Sequence, residues 1–321
     1  MDKKFSFSLL FFLILGVSAV TQPVKPDVKG DLIIFHAGSL SVPMKEVAGA
    51  FNKEYPKVKL LMESAGSVAS ARKITDLDRP CDIMASADYA VIDNMLIPKY
   101  ADWNIRFVAN EMAVVYHQNS RFAKEITGKT WYDILMKPEV AFGRADPNAD
   151  PCGYRTVFTI QLSEKFYKKP GLANRLMSKD LNYMRPKEVD LIPLIESGSI
   201  DYIFIYRSVA IQHKLNYLVL PDQVNLKNPA LASLYATASA EINGKEPGRK
   251  EIINGEPMIY GITILRDAPN REAAIKFVEF LLSKEKGMAI MEKNGQPSVL
   301  PMTVKNYDKL PEALKKYALK D

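Results

Sequence analysis

The sequence DLIIFHAGSLSVPM, residues 31–44, contains an apolar run, a Gly-Ser pair and the start of a helical pattern. Residues 31–37 have the length and composition of a buried strand. Helical spacing follows, with Pro43 in the first turn, where proline is tolerated. We therefore predict a strand, a short turn at Gly38 and Ser39, and a helix, in that order.

The same order recurs along the chain. Strands are predicted at residues 58–62 and 82–86, each before a helical pattern, and the turn after the first of them contains Gly66 and Ser67. Strands that alternate with helices predict a parallel sheet with right-handed crossovers. Ligands bind at the carboxyl ends of such strands, where these polar turns lie. Residues 225–256 lack this period and are predicted to form loops.

A second set of strands and helices follows the first, so the predicted fold class is α/β with two lobes. Residues 107–117 and 257–265 are each predicted to form one apolar strand. Because no low-complexity linker interrupts the chain, we expect it to cross between the lobes through these strands. Lobe I would then comprise residues 30–112 plus 232–321, and lobe II residues 113–231.

Composition and charge exclude several classes of protein. The 321 residues are 47% hydrophobic and 25% charged, which is typical of folded rather than disordered chains. The net charge of +6 is spread along the sequence, whereas nucleic-acid binding needs a concentrated basic face.

Residues 1–24 have the lysines, apolar run and small residues of a secretory signal peptide, although an uncleaved anchor is an alternative. We expect the mature protein outside the cytoplasmic membrane.

Two predicted turns carry groups that can bind an anion. Gly38-Ser39 and Gly66-Ser67 each lie between a strand and a helix. Glycine lets a ligand approach the backbone, and a serine hydroxyl with helix N-terminal amides donates hydrogen bonds. The alternative is that these residues are ordinary caps and turns.

A polar loop and two later residues are further candidates. Asp150, Pro151 and Cys152 could bind a ligand or simply form a turn that caps the next helix. A carboxylate is unfavourable beside an anion unless the ligand has a metal centre that carboxylate oxygens coordinate. Glu188 lies in a first helical turn, where the helix dipole alone favours an acidic residue. Tyr206, at the end of a predicted strand, could face a cleft or pack in the core.

The motifs do not support an enzyme. The sequence has no P-loop, HExxH, GxSxG or Rossmann glycine pattern. Cys152 with His117 or His213 as a base would be a cysteine hydrolase, but no nucleophile signature surrounds it. Three histidines make a histidine metal cage unexpected. Export would permit a disulfide between Cys81 and Cys152, and the sequence leaves that pairing open.

Six stretches resemble, in the same order, the archaeal-type tungstate/molybdate-binding proteins that supply an ABC importer. They are IIFHAGSLSVPMKEVAGAFNKEYP (33–56), ESAGS (63–67), CDIMASADY (81–89), DPCGYR (150–155), IDYIFIYRSVAIQH (200–213) and IYGITILRDAPNREAAIKFVEFLLS (259–283). The resemblance covers nearly all of the chain after the predicted signal peptide. It implies a type II periplasmic-binding-protein fold, with two α/β lobes that close on an oxyanion.

The resemblance also implies a set of site residues. The residues expected to bind the oxyanion are Gly38, Ser39, Ser67, Asp150, Pro151, Cys152, Glu188 and Tyr206. Asp150 and Glu188 would coordinate tungsten or molybdenum directly and raise its oxygen ligands from four to six. The connection before Glu188 is shorter than in the family, which makes Glu196 the alternative carboxylate.

The function implied by the resemblance is transport without catalysis. The ligand would be tungstate or molybdate, which the sequence does not rank, and no cofactor is expected. The partner would be the membrane permease of an ABC transporter, and the protein itself is expected to be a monomer. A second hypothesis keeps the fold and changes the ligand to sulfate, phosphate or another small anion.

Overall fold

The computed structural model of the protein describes residues 27–244 and 248–321 and contains two five-stranded sheets with helices packed against them. The predicted signal peptide, residues 1–24, lies outside the described residues. Within the two described ranges, no helix has the length and hydropathy needed to cross a membrane.

The described ranges contain fourteen strands and twelve α-helices, besides short 3-10 and π-helical segments. The strands are β1 (Gly30–His36), β2 (Val58–Ser64), β3 (Ile83–Ser86), β4 (Ile105–Ala109), β5 (Met112–Tyr116), β6 (Phe142–Ala145), β7 (Met184–Arg185), β8 (Tyr202–Tyr206), β9 (Asn216–Val219), β10 (Ser239–Asn243), β11 (Lys250–Asn254), β12 (Ile259–Ile264), β13 (Met302–Val304) and β14 (Ala318–Lys320). The helices are α1 (Ser41–Glu54), α2 (Ser67–Thr75), α3 (Tyr89–Val91), α4 (Trp131–Leu135), α5 (Pro151–Tyr167), α6 (Leu172–Ser178), α7 (Ile192–Glu196), α8 (Arg207–His213), α9 (Asp222–Asn225), α10 (Ala232–Tyr235), α11 (Arg271–Leu282) and α12 (Ala289–Lys293).

The first sheet has the strand order β2-β1-β3-β12-β4. Strand β1 pairs in parallel with β2 and β3, whereas β12 is antiparallel to both β3 and β4. The prediction of a wholly parallel sheet is therefore wrong for one strand. Strand β12 returns from a distant part of the sequence, so the local alternation of strands and helices could not reveal its direction.

The second sheet repeats this arrangement, with the order β7-β6-β8-β5-β9. Strand β6 is parallel to β7 and β8, and β5 is antiparallel to β8 and β9. Each sheet therefore has one antiparallel strand, next to an edge. In each sheet that strand adjoins a crossing between the sheets, because β5 enters the second sheet and β12 returns to the first.

The predicted single strand at residues 107–117 is wrong, because β4 and β5 are separate strands in different sheets. The chain crosses at Asn110 and Glu111. The backbone N–H of Asn110 donates to the carbonyl oxygen of Met258 at 3.3 Å, and its side-chain oxygen accepts from the N–H of Glu111 at 3.0 Å. Buried apolar residues continue on both sides, so the two polar residues between them were not enough to predict a break. The residue bounds of the two lobes stay a prediction.

Residues 225–256 contain more regular structure than predicted. Helix α10 and the antiparallel hairpin β10–β11 lie in this stretch. The hairpin packs on α5, where the side chain of Gln161 donates to the carbonyl of Ser239 and accepts from its N–H, both at 2.9 Å. Its outer side chains face solvent, including Ile252 at 74% exposure. Because most residues from 239 to 254 are polar or charged, this hairpin resembles a loop when the sequence alone is considered.

Large apolar side chains hold the helices on each sheet. In the first lobe, Phe51 of α1 meets Phe277 of α11 edge to face, with ring centroids 5.2 Å apart. In the second, Trp131 of α4 meets Phe204 of β8 in the same way at 5.7 Å. All four side chains are fully buried, and each such burial contributes roughly 1.5–3 kcal/mol. The polar turns at the strand ends face one another between these two cores.

Candidate functional site

Gly38 and Ser39 directly follow β1 and begin a short 3-10 turn, Gly38–Leu40. Both residues are buried. The backbone N–H of Ser39 donates to Oε1 of Glu188 at 2.5 Å. A Cβ atom on Gly38 would lie 2.5 Å from Oε2 of the same carboxyl group. Glycine therefore leaves the space in which this turn receives a carboxylate oxygen from the other lobe.

Ser67 begins α2, and its hydroxyl oxygen accepts from the N–H of Ala87 at 3.0 Å. The neighbouring Gly66 touches the loop after β6, because a Cβ there would lie 2.3 Å from the carbonyl oxygen of Ala149. The same carbonyl accepts from the N–H of Ala69 at 3.2 Å. The two lobes are thus in backbone contact beside the site, and the cleft between them is closed.

Asp150 is the N-cap of α5, and Pro151 is its first residue. One carboxylate oxygen, Oδ1, accepts from the N–H of Cys152 at 2.7 Å, which is the capping role considered from the sequence. The other, Oδ2, accepts from the N–H of Glu188 at 3.2 Å. Asp150 therefore both caps its helix and joins it to the segment that carries Glu188.

The carboxyl groups of Asp150 and Glu188 meet in a buried site, each side chain being 1% exposed. Burial raises the pKa of both groups. The nearby charge of Asp150 raises the pKa of Glu188 further. Oε2 of Glu188 has no hydrogen-bond partner among the described residues. Such a pair is costly unless a strongly positive centre or a proton compensates it.

Tyr206 ends β8 and is fully buried. Its hydroxyl accepts from Nη1 of Arg155 at 3.2 Å, and its ring contacts that of Tyr260, with centroids 6.1 Å apart. The hydroxyl of Tyr260 is in turn hydrogen-bonded to Oγ of Ser39 at 2.9 Å. This chain of contacts connects the turn of the first lobe with the end of a strand in the second.

The structure places all eight predicted site residues at this junction of the lobes and leaves Glu196 elsewhere. The eight are Gly38, Ser39, Ser67, Asp150, Pro151, Cys152, Glu188 and Tyr206, and every one is buried. Glu196, the alternative carboxylate, is exposed at the end of α7. Glu188, and not Glu196, therefore supplies the carboxylate that contacts the turn at Gly38 and Ser39. The roles of these residues in binding stay a prediction.

Three residues of the site were not predicted. They are Arg155, Tyr260 and Asn110, whose side-chain amide donates to the hydroxyls of Tyr260 at 2.9 Å and Ser208 at 2.8 Å. Asn110 interrupts an apolar run, which is a signal that the sequence does carry. Arg155 follows Asp150 on the same helix, but no local pattern indicates that its guanidinium is buried.

Comparison with known proteins identifies the class. Residues 32–296 match the family described as bacterial extracellular solute-binding protein. The chain belongs to this family. It is a family of transport proteins rather than of known enzymes.

Relatives of this solute-binding protein span nearly its full length. An uncharacterized solute-binding protein of Petrotoga mobilis is 46% identical over 98% of this chain and 96% of its own length. The molybdate/tungstate-binding protein WtpA of Pyrococcus abyssi is 38% identical over 97% of this chain and 96% of its own. WtpA of Thermococcus kodakarensis is 40% identical over 88% of this chain and 86% of its own.

Solved structures support the fold at much lower sequence identity. The periplasmic molybdate-binding protein of Azotobacter vinelandii superposes with a TM-score of 0.63 at 14% identity, over 84% of this chain and 99% of that one. The sulfate-binding protein SubI of Mycobacterium tuberculosis has a TM-score of 0.59 at 15% identity, over 85% and 87%. The predicted two-lobed α/β fold of a periplasmic binding protein is therefore confirmed for this solute-binding protein.

Cys152, the alternative nucleophile, is fully buried in this solute-binding protein. Its thiol donates to the carbonyl oxygen of Phe204 at 3.7 Å. Burial raises the pKa of the thiol well above its usual value, and the charges of Asp150 and Glu188 raise it further. Reactive cysteines need the opposite, a lowered pKa and access to solvent. The geometry therefore gives no support to a cysteine hydrolase.

Thiol titration should give no reaction in the folded solute-binding protein and two thiols per chain after unfolding. Cys81 and Cys152 are both free and buried, and burial raises the pKa of Cys81 to about 12. Ellman's reagent, added with and without guanidinium, measures this count. If no thiol reacted even in guanidinium, the disulfide that the sequence left open would exist.

The stability of the protein without an oxyanion should fall with rising pH because of the buried carboxyl pair. The ordinary pKa values of Asp150 and Glu188 are 3.8 and 4.5, and the folded values are higher. The pair therefore favours folding below about pH 4 and loses that contribution as the pH rises through the raised folded values. Glu188→Gln should gain free energy of unfolding relative to the wild type over this range, by about 1.4 kcal/mol for each unit of pKa difference.

Urea unfolding from about pH 4 to about pH 8, for both proteins in buffer without oxyanions, tests this. Glu196→Gln serves as the control, because that carboxylate is exposed. Parallel pH profiles for the wild type and Glu188→Gln would contradict the prediction.

Proposed function

We propose that this protein captures tungstate or molybdate outside the cytoplasmic membrane and delivers it to the permease of an ABC importer. The observation that carries the proposal is the meeting of the Asp150 and Glu188 carboxyl groups, from two segments of the second lobe, against the backbone of Gly38 and Ser39 in the first. The curated relatives that bear the name molybdate/tungstate-binding protein, at 38% and 40% identity, support the same ligand class.

The carboxyl pair favours a metal-centred oxyanion over sulfate or phosphate. Tungsten(VI) and molybdenum(VI) accept additional oxygen ligands, so carboxylate oxygens from Asp150 and Glu188 would complete a six-coordinate centre. Sulfur and phosphorus in their oxyanions do not readily expand their coordination. Sulfate would therefore meet two buried carboxylates as uncompensated repulsion.

The neutral groups of the site suit the oxo oxygens. The turn at Gly38 and Ser39 offers a backbone N–H, and Ser39 and Ser67 offer hydroxyl groups at two helix starts. Tyr206 would line the site from the second lobe, as would Pro151 and Cys152 at the start of α5. The lobes would open to admit the anion and close over it by a hinge motion at the crossing strands, presenting the permease with the closed form. We propose that the protein acts as a monomer, that it is exported with residues 1–24 as its signal, and that it needs no cofactor.

Isothermal titration of the purified protein with tungstate, with excess sulfate already in the cell, tests the proposal. We expect one-to-one binding that sulfate does not reduce, and the same result with molybdate. Sulfate and phosphate titrated alone should produce no heat of binding. Heat that sulfate abolishes would instead support the second hypothesis, a binding protein for a common small anion.

A further inference from the structure

A second set of contacts joins the lobes next to the proposed oxyanion site. Asp88 follows β3 in the first lobe, and its Oδ2 accepts from the hydroxyl of Tyr154 at 2.6 Å. Nη2 of Arg155 lies 3.4 Å from the same oxygen, and its Nη1 donates to the carbonyl of Ala87 at 2.6 Å. Tyr154 and Arg155 are adjacent residues of α5 in the second lobe, so every one of these contacts crosses the cleft.

The two oxygens of Asp88 serve different lobes. Oδ1 accepts from the N–H of Ala90 at 2.9 Å and so caps the short helix α3 of its own lobe. The backbone N–H of Asp88 donates to the hydroxyl oxygen of Ser86 at 3.1 Å. These local bonds position the carboxylate whether or not the lobes are closed, and they leave Oδ2 directed at Tyr154 and Arg155.

Arg155 is a buried cation that depends on the opposite lobe. Its side chain is 4% exposed and that of Asp88 is 13% exposed. Burial by itself would lower the pKa of the guanidinium, and the charge of Asp88 together with the surrounding tyrosine hydroxyls more than offsets this. The hydroxyl of Tyr206 is a contact from its own lobe, whereas Ala87 and Asp88 lie across the cleft. Opening the lobes would exchange both of those contacts for water.

These contacts are continuous with the site. Ala87, whose carbonyl accepts from Arg155, donates its N–H to the hydroxyl of Ser67. Tyr206, the contact of Arg155 in its own lobe, is a predicted site residue. Asp88, Tyr154 and Arg155 also line a cavity of about 220 Å³, which is large enough for several water molecules and is lined by none of the eight predicted site residues.

We propose that Asp88, Tyr154 and Arg155 form a closure latch that holds the lobes together over the captured anion and sets its rate of release. This inference rests on the proposed function. A buried ion pair costs desolvation comparable to its attraction, so the latch does not close the lobes by itself. It forms only after closure removes water, and breaking it is then a step that release must include.

The test is the release rate of tungstate from the wild type and from Asp88→Asn. Asparagine keeps an acceptor for Ala90 at the N-cap but removes the charge that faces Arg155. Tungstate-loaded protein is mixed with excess molybdate, and bound tungsten is counted after rapid filtration. We expect release to accelerate about tenfold or more, with the association rate changed less than about threefold. Tyr154→Phe should accelerate release about fivefold, through the loss of one hydrogen bond to a charged acceptor.

Asp102→Asn is the matched control, because Asp102 forms an ion pair with Arg266 at 2.7 Å away from the cleft. It should leave the release rate unchanged. The melting temperature of Asp88→Asn without anion should also match that of the wild type, which separates a latch from a general structural role. An unchanged release rate, or a loss of affinity that lies entirely in the association rate, would overturn the latch.

The proposed function can fail separately. A wild type that does not bind tungstate refutes that function, and the same release experiment is then run with the anion it does bind, sulfate or phosphate. Faster release from Asp88→Asn would still support the latch, and equal release would overturn it.

Discussion

Glu188→Gln and Asp150→Asn are each expected to weaken tungstate binding by at least about 100-fold, or about 2.7 kcal/mol. Each change replaces an anionic oxygen donor with a neutral amide in a site from which water is excluded. The isosteric amides keep the shape of the site, so the loss would come from coordination rather than from packing. Titration calorimetry with tungstate gives this affinity, and a parallel titration with sulfate shows whether that anion binds.

Sulfate provides the sharper comparison for these two variants. Removing a buried negative charge should leave sulfate binding undetected or allow it to appear, which narrows the preference of the site for tungstate. Glu196→Gln removes an exposed carboxylate from the helix that follows Glu188, and it should change neither the tungstate nor the sulfate result. Wild-type tungstate affinity in both Glu188→Gln and Asp150→Asn would mean that the carboxyl groups do not coordinate or select the ligand.

Gly66→Ala is expected to keep the lobes apart and reduce tungstate affinity about 100-fold. The added Cβ would lie 2.3 Å from the carbonyl oxygen of Ala149 and 3.0 Å from that of Pro186, both on the opposite lobe. These are backbone atoms, so no side-chain rotation relieves the overlap. The backbone of Gly66 is extended, with φ −56° and ψ 141°, so alanine is otherwise compatible with it.

Small-angle scattering with saturating tungstate should show a larger radius of gyration for Gly66→Ala than for the wild type. Gly49→Ala is the control, because nothing lies within 4 Å of a Cβ at that position in α1. That change should raise the free energy of unfolding by about 0.5–1 kcal/mol and leave binding intact. If Gly66→Ala kept the tungstate affinity and the radius of gyration of the wild type, the backbone of the opposite lobe would have moved to accommodate the added Cβ. The prediction would then be wrong.

The sequence predicted most of the fold because its elements have strong local patterns. The run 31–37 is mostly apolar and forms all but the first residue of β1, and the helical spacing that follows forms α1. What it could not predict depends on distant parts of the chain. The direction of β12 is set by insertion between β3 and β4, and the hairpin β10–β11 has outer residues that resemble a loop.

The site residues also divide into those that local sequence predicted and those that depend on distant contacts. Gly38 and Ser39 were candidates because strand, glycine and helix follow one another in the sequence, which is local information. Glu188 came from the resemblance, since its own spacing indicated only a first helical turn. Arg155 and Tyr260 were missed, because their importance arises from contacts with residues 87 and 39, far away in the chain.

The insertion of β12 also has a consequence for how this chain folds. The second sheet is complete within residues 112–219, whereas β4 joins the first sheet only through β12, at residues 259–264. Contacts between distant residues form slowly, because the intervening chain must be ordered first. We expect the amides of β8 to gain protection from hydrogen exchange before those of β4 during refolding, and the reverse order would refute this. The half of the molecule that is synthesised first would then be the last to become complete.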